Sequence, residues 1–125
     1  TLLKTKLEEI AKALAEGNLS NINIQWKDNE SVCVVLASKG YPEKVKNGKV
    51  VTIEQLPDDM VCFHAGTKTE NGKLITSGGR VFGLTAWAED IASAVKKVYA
   101  NIDKVTFDGM QYRKDIAHRA LEGVK

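Results

Sequence analysis

Two Asn-Gly pairs, Asn47-Gly48 and Asn71-Gly72, restrict most tightly what this chain can become. Both residues of such a pair tolerate positive φ, which a two-residue hairpin turn requires, so each pair marks a chain reversal between extended segments. Short β-branched runs stand where those reversals need them. Val50 to Ile53 follows the first pair, while Met60 to Ala65 and Lys73 to Thr76 flank the second. The segment from Ile22 to Trp26 alternates apolar with polar residues, and Val32 to Ala37 runs apolar after the turn-forming Lys27-Asp28-Asn29-Glu30. That pattern predicts a further hairpin. Val81 to Ala86 and Val105 to Phe107 add two more extended runs. Reversals this close together leave no room for the long crossovers that parallel strands need.

Helical spacing appears three times. Leu3, Leu7, Ile10 and Leu14 make one apolar stripe over residues 2–16, closed by Gly17-Asn18, and such a stripe must pack on something. The stretch 88–101 carries Ile91, Ala94, Val95 and Val98 on one side, continued by Ile102, with Glu89 and Asp90 early and Lys96 and Lys97 late. Those charges complement the helix dipole. Residues 113–122 read as a short closing helix with Ile116, Ala117, Ala120 and Leu121 inward. The fold class is therefore α+β, mainly antiparallel sheet with flanking helices.

At 125 residues the chain has the size of one domain, able to bury a core without a disulfide or zinc staple. Its 43% hydrophobic and 27% charged residues exclude intrinsic disorder. A net charge of +2 gives no basis for a nucleic-acid or polybasic membrane surface. No apolar run approaches the roughly 20 residues of a membrane span, and no secretory leader is visible. Thr1 in place of a methionine raises the expectation of a piece of a longer chain. Cys33 and Cys62 sit in apolar runs without CxxC spacing, and read as reduced core thiols.

Chemistry concentrates in two loops. In Ser77-Gly78-Gly79-Arg80, two bare backbone positions admit a close ligand, successive amides form an anion-binding concavity, and a guanidinium stands beside it. A plain tight turn with a solvated arginine accounts for the same four residues. Lys39-Gly40-Tyr41-Pro42 ends a strand, with a lysine to meet an anion and a tyrosine to stack, or it merely sets a turn. His64, inside an apolar strand, suits a hydrogen-bonded rim position. His118 lies too far along the chain to make a metal spacing with it. Tyr112-Arg113-Lys114-Asp115 reads as a solvated, charged helix start. No nucleophile–base set and no marked carboxylate pair is present.

Taken in order, Val34-Val35-Leu36-Ala37-Ser38-Lys39-Gly40-Tyr41-Pro42, Phe63-His64-Ala65-Gly66-Thr67, Thr76-Ser77-Gly78-Gly79-Arg80-Val81-Phe82-Gly83-Leu84-Thr85-Ala86 and Tyr112-Arg113-Lys114-Asp115-Ile116 carry a resemblance. The chain resembles the C-terminal domain of the phosphoribosylamine–glycine ligase (glycinamide ribonucleotide synthetase) family, in the ATP-grasp superfamily. The resemblance implies a β-rich rudimentary barrel-sandwich hybrid. Residues 1–20 would be the helix leaving the ATP-grasp domain, and residues 21–125 the C-terminal domain proper. It implies a cytoplasmic ligase of purine biosynthesis that joins glycine to 5-phosphoribosylamine, with glycinamide ribonucleotide, ADP and phosphate as products. ATP and Mg²⁺ (or Mn²⁺) would be bound mainly by other domains, and the fragment alone would be inactive.

Carried over by position, Ser77, Gly78, Gly79 and Arg80 would face the substrate. Lys39, Gly40 and Tyr41 would form a neighbouring wall, and His64 and Thr67 would support the rim. No catalytic residue and no metal ligand is assigned to this chain. Its expected partners are phosphoribosylamine, glycinamide ribonucleotide and the rest of the same ligase chain, with no nucleic acid and no membrane. The chain departs from the family pattern at Glu43, Ala88 and Ala117, each standing where a glycine is usual; the two alanines are expected inside helices. Two other readings compete: a non-catalytic module that binds a phosphorylated ligand or a partner protein, and the C-terminal domain of a different ATP-grasp purine ligase.

Overall fold

The fold is described from a computed structural model covering residues 1–123; Val124 and Lys125, the end of the segment expected to form the C-terminal domain, lie outside the described residues. In chain order the elements are α1 (Leu7–Ala15), β1 (Glu30–Ala37), β2 (Val51–Ile53), β3 (Met60–His64), β4 (Thr67–Glu70), β5 (Lys73–Thr76), β6 (Arg80–Ala88), α2 (Ile91–Ala100), β7 (Val105–Phe107) and α3 (His118–Leu121). Single 3₁₀ turns follow α1 and α2. Every strand pairing is antiparallel, in three small sheets ordered β1-β6-β3, β2-β7 and β4-β5. A bridge from Val50 to Ile75 ties the last two together. The chain is thus α+β with mainly antiparallel strands and flanking helices.

The central strand is β6, for a reason its sequence states. Arg80-Val81-Phe82-Gly83-Leu84-Thr85-Ala86-Trp87-Ala88 is the longest extended run, rich in residues that fill both faces of a sheet. It pairs with β1 along one edge (Val34 opposite Leu84) and with β3 along the other (Cys62 opposite Leu84). On its inner face Val32, Val34, Leu36, Phe82, Leu84 and Ala86 meet Ala94 and Val98 of α2 and Val105 and Phe107 of β7 in one core. At about 1.5–3 kcal/mol for each fully buried large apolar side chain, this cluster dominates the stability. The start of α2 is fixed by Asp90, whose carboxylate accepts from the Ser93 amide at 2.7 Å and from the Ser93 hydroxyl at 3.0 Å. Those bonds hold the Asp90 carboxyl below the usual carboxylate range.

Five expectations need correction. Residues 22–26 do not form a hairpin with β1. They run beside the N-terminus instead, with a Leu3–Trp26 bridge and the Lys4 amide donating to the Gln25 carbonyl, while β1 pairs with β6 and keeps its other edge free of a strand among the described residues. The hairpin at Asn71-Gly72 is β4-β5, whereas β3 pairs with β6. The closing helix shrinks to four residues, leaving Ala120 and Leu121 exposed. Ala117 sits before it in the left-handed region at φ 66°, and Ala88 ends β6; neither alanine lies in a helix. Finally, Cys33 is not a core thiol. Strand alternation turns it to the outer face of β1, where it is exposed. Cys62 is half-buried, and burial first, then the charge of Cys33, pushes its thiol up to about 11.

Helix α1 buries none of its residues, and Leu7 and Leu14 remain 70% and 64% exposed. Leu3 and Ile10 of the same stripe are part-covered, so the uncovered portion among the described residues is Leu7 and Leu14.

Candidate functional site

The two loops singled out in the sequence pack directly on each other, and the residue that joins them is Ser38. It follows β1, is almost fully buried, donates its amide to the Gly79 carbonyl at 2.8 Å and its hydroxyl to the Gly78 carbonyl at 2.9 Å. A buried serine that bonds through both groups costs little to bury and fixes the spacing of two backbones. Beyond it, Gly40 turns the chain and Tyr41 lays its ring against Gly79, where any Cβ would overlap the ring. A cis bond joins Tyr41 to Pro42. Gln111, just before the closing segment, donates its side-chain amide to the Tyr41 carbonyl at 3.1 Å.

The opposite flank of the Ser77–Arg80 loop rests on the β3–β4 connection. The Ser77 amide donates to the Gly66 carbonyl at 2.7 Å, while the Ala65 and Gly66 amides both donate to the Val81 carbonyl at 3.0 and 3.2 Å. A Cβ on Gly66 would fall 2.6 Å from the Arg80 carbonyl oxygen and 2.8 Å from the Gly78 Cα, so the backbones touch only because glycine stands here. His64 and Thr67 bracket this connection. The His64 Nδ1 lies 3.0 Å from the Thr67 Oγ1, and the imidazole meets Phe82 edge-on with ring centres 5.0 Å apart.

Arg80, at the head of β6, opens onto a cavity of about 410 Å³ on the outer face of the sheet. Val35, Phe63, Ala65, Gly66, Phe82 and Gly83 line the rest of it. Among the described residues no ion pair engages Arg80. A guanidinium at the mouth of an apolar cavity is placed to receive a carboxylate or phosphate by charge-assisted hydrogen bonds. Lys39 does not line that cavity. Its aliphatic stem runs along Gly109 instead. The geometry therefore packs Tyr41 on the Ser77–Arg80 loop, leaves Gly40, Tyr41 and Ser77 as well as Lys39 out of the cavity lining, and sets His64 and Thr67 in hydrogen-bond contact beside the β3–β4 connection.

Three contributors escaped the sequence reading. Phe63 and Val35 look like core residues by composition, and only the register of β1, β6 and β3 turns them outward into the cavity. Ser38 stood inside the Lys-Gly-Tyr-Pro motif without marking itself; a small polar residue closing an apolar strand was its signal.

The class this defines is an α+β domain presenting glycine-tightened loops and a free arginine. The profile of the family described as "Phosphoribosylglycinamide synthetase, C domain" matches residues 31–119. The chain belongs to that family. It is 45% identical over 117 residues to a phosphoribosylamine–glycine ligase of Caldanaerobacter subterraneus subsp. tengcongensis, covering 93% of this chain and 28% of that protein. It is also 45% identical over 123 residues to a bifunctional purine biosynthetic protein of Pichia angusta, covering 97% of this chain and 16% of the relative. The crystal structure of the phosphoribosylamine–glycine ligase of Thermotoga maritima superposes with a TM-score of 0.69 at 35% identity, over 86% of this chain and 27% of that one. The chain thus spans between a sixth and little more than a quarter of the length of these relatives.

Proposed function

We propose that this chain supplies the substrate-side C-terminal domain of a phosphoribosylamine–glycine ligase. That enzyme would join glycine to 5-phosphoribosylamine at the expense of ATP, giving glycinamide ribonucleotide, ADP and phosphate. Arg80 would hold an anionic group of the substrate, and the Ser77–Gly79 backbone, locked to Ser38 and Tyr41, would keep that guanidinium in register. The observation that carries the proposal is the pairing of a rigid double loop with an arginine free of ion pairs at an apolar cavity.

Among the described residues no group of three or more histidine, cysteine or carboxylate side chains is gathered as a metal site. ATP and Mg²⁺ would, in this proposal, be held mainly by the other domains of the ligase. The relatives are longer chains, and the exposed Leu7 and Leu14 stripe of α1 supports a proposal that the rest of the ligase packs there. A cytoplasmic setting belongs to the same proposal. None of the described helices is long and apolar enough to cross a membrane.

In the full-length enzyme Arg80→Ala is expected to raise the substrate KM or lower turnover by about tenfold or more, with the domain still folded. Arg80→Lys should recover part of the loss, because a point charge replaces a bidentate fork. Steady-state kinetics unchanged in Arg80→Ala would sink the assignment.

A further inference from the structure

Strand β1 stands outermost in the order β1-β6-β3, with one edge given to β6. In an antiparallel ladder the backbone groups of alternate residues point to opposite sides. Ala37 shows which set points away from β6. Its amide donates to the Gln111 carbonyl at 2.8 Å, and its carbonyl accepts from the Gln111 amide at 2.9 Å. Ser38, one residue on, donates its amide to Gly79 on the β6 side instead. Ser31, Cys33 and Val35 share the parity of Ala37, yet among the described residues none of them makes a backbone hydrogen bond outside the β1–β6 ladder. Gln111 starts a pairing along this edge that is not continued. The Tyr99 hydroxyl holds the chain to α2, donating to the Arg113 carbonyl at 2.7 Å and accepting from the Ile116 amide at 3.2 Å.

Exposed edges are ordinarily guarded by a lysine, a proline, a bulge in the edge strand or short length. The run from Ser31 to Ala37 has no charge and no proline, and β1 extends over 8 residues. The one irregularity in its pairing leaves the extra residue, Val81, on β6 rather than on β1. Such an edge accepts an extended backbone. Because Ala37 is taken, the free residues Ser31, Cys33 and Val35 are symmetric about Cys33. A second β1 laid antiparallel therefore sets Cys33 opposite Cys33 and Ser31 opposite Val35, and each copy's amides reach the other's carbonyls. Between those pairs Val32 faces Val34 of the second copy. Both valines lie on the covered inner face, so these β-branched pairs extend the core. No like charges oppose each other over the paired span.

We propose that the open edge of β1 is a docking surface for a second copy of this chain, the two β1 strands pairing antiparallel about a two-fold axis at Cys33. The β3-β6-β1 sheet of one copy then runs on into the β1-β6-β3 sheet of the other. The contact uses the same residues on both sides, so it closes as a dimer and does not propagate. It does not rest on the ligase reading, since it is tested by association alone.

Sedimentation equilibrium of the 125-residue chain under reducing conditions is expected to show a reversible dimer at micromolar to submillimolar concentration. Cys33→Lys sets two ammonium groups face to face at an exposed position and should weaken the dimer by about tenfold or more. Ser31→Pro removes an outward amide without touching the ladder to β6, and should weaken it as well. Register is read by diamide, which takes up the two protons and two electrons released when two thiols join. Cα atoms of a hydrogen-bonded antiparallel pair lie about 5.5 Å apart, within the span of a disulfide. Diamide should therefore link two chains in Cys62→Ser and fail to do so in Cys33→Ser, while both variants still dimerise under reducing conditions. A monomer at every concentration would leave the edge to some other extended segment and overturn the second copy as its occupant. A dimer indifferent to both Cys33→Lys and Ser31→Pro, or one linked only through Cys62, would place the contact elsewhere and overturn the proposal equally.

Discussion

On the inner face of the β1-β6-β3 sheet, Val34, Leu36, Leu84 and Ala86 are fully covered and Phe82 is 1% exposed; on the outer face Val35 and Phe63 stand 40% and 51% exposed beside an exposed Cys33. Both faces are apolar, which is unusual for an antiparallel sheet whose second face meets water. The difference lies in what covers them. Helix α2 and β7 close the inner face, whereas the outer face carries the cavity to which Arg80 contributes the cation. Apolar character therefore serves two ends in one sheet, stability on one side and a receptive wall on the other. Substitutions that treat the faces alike should have unequal effects.

The largest separation is expected from Phe82. Its ring fills the inner core, tilted against Phe107 with centres 6.3 Å apart, so Phe82→Ala should cost about 3–5 kcal/mol of stability through lost burial and a cavity. Urea denaturation of the isolated chain measures this directly. A loss under about 1 kcal/mol would mean that the inner face is not the core.

Much of this arrangement was legible in the sequence. Strand and helix runs follow hydrophobic period, and the Asn71-Gly72 turn fell where its residues demanded φ of 50° and 73°. Pairing was not legible, because a period of two says which residues share a face and nothing about which strand lies beside which. So β3 and β1 both went to β6, and residues 22–26 lost the partner their alternation suggested. The facing of Cys33, Val35 and Phe63 was hidden for the same reason. The loops were better signposted. Gly66 and Gly79 are needed for close backbone and ring contacts, and Arg80 stood beside them, but the partner of Lys39 across β7 depends on tertiary packing alone.

At the boundary between the faces, the glycine contacts divide the next effects. A methyl at Gly66 meets backbone atoms of Arg80 and Gly78, which yield only if the loops part, so Gly66→Ala should destabilise by about 1–3 kcal/mol. A methyl at Gly79 meets the Tyr41 ring, a side chain that can swing aside, so Gly79→Ala should cost less and show itself as altered Tyr41 fluorescence. The reverse order of melting temperatures would break the account of how the rim is held.

Away from the sheet, Ala117 pays for a left-handed backbone at φ 66° with its Cβ, and the closing helix begins from that residue. Ala117→Gly should therefore stabilise the chain by about 0.5–1 kcal/mol, the conformational relief exceeding the added freedom of the unfolded chain. Differential scanning calorimetry gives the sign. A lower melting temperature would show that the methyl, half-buried against the core, contributes more by packing than it costs in strain.

The smallest effect is expected at Val35, and it sharpens the comparison most. Threonine matches valine in shape and keeps the β-branch, so Val35→Thr changes only the polarity of one atom. On the outer face that hydroxyl can reach water, and stability should move by no more than about 0.5 kcal/mol. One residue back, the same substitution at the fully covered Val34 buries a hydroxyl among apolar neighbours and belongs with the costly changes. If the two variants unfold at the same urea concentration, the faces do not differ in exposure and the cavity beside Arg80 is closed in solution. If Val35→Thr is silent in the chain yet weakens a full-length ligase, the outer face is apolar because something there must be met dry.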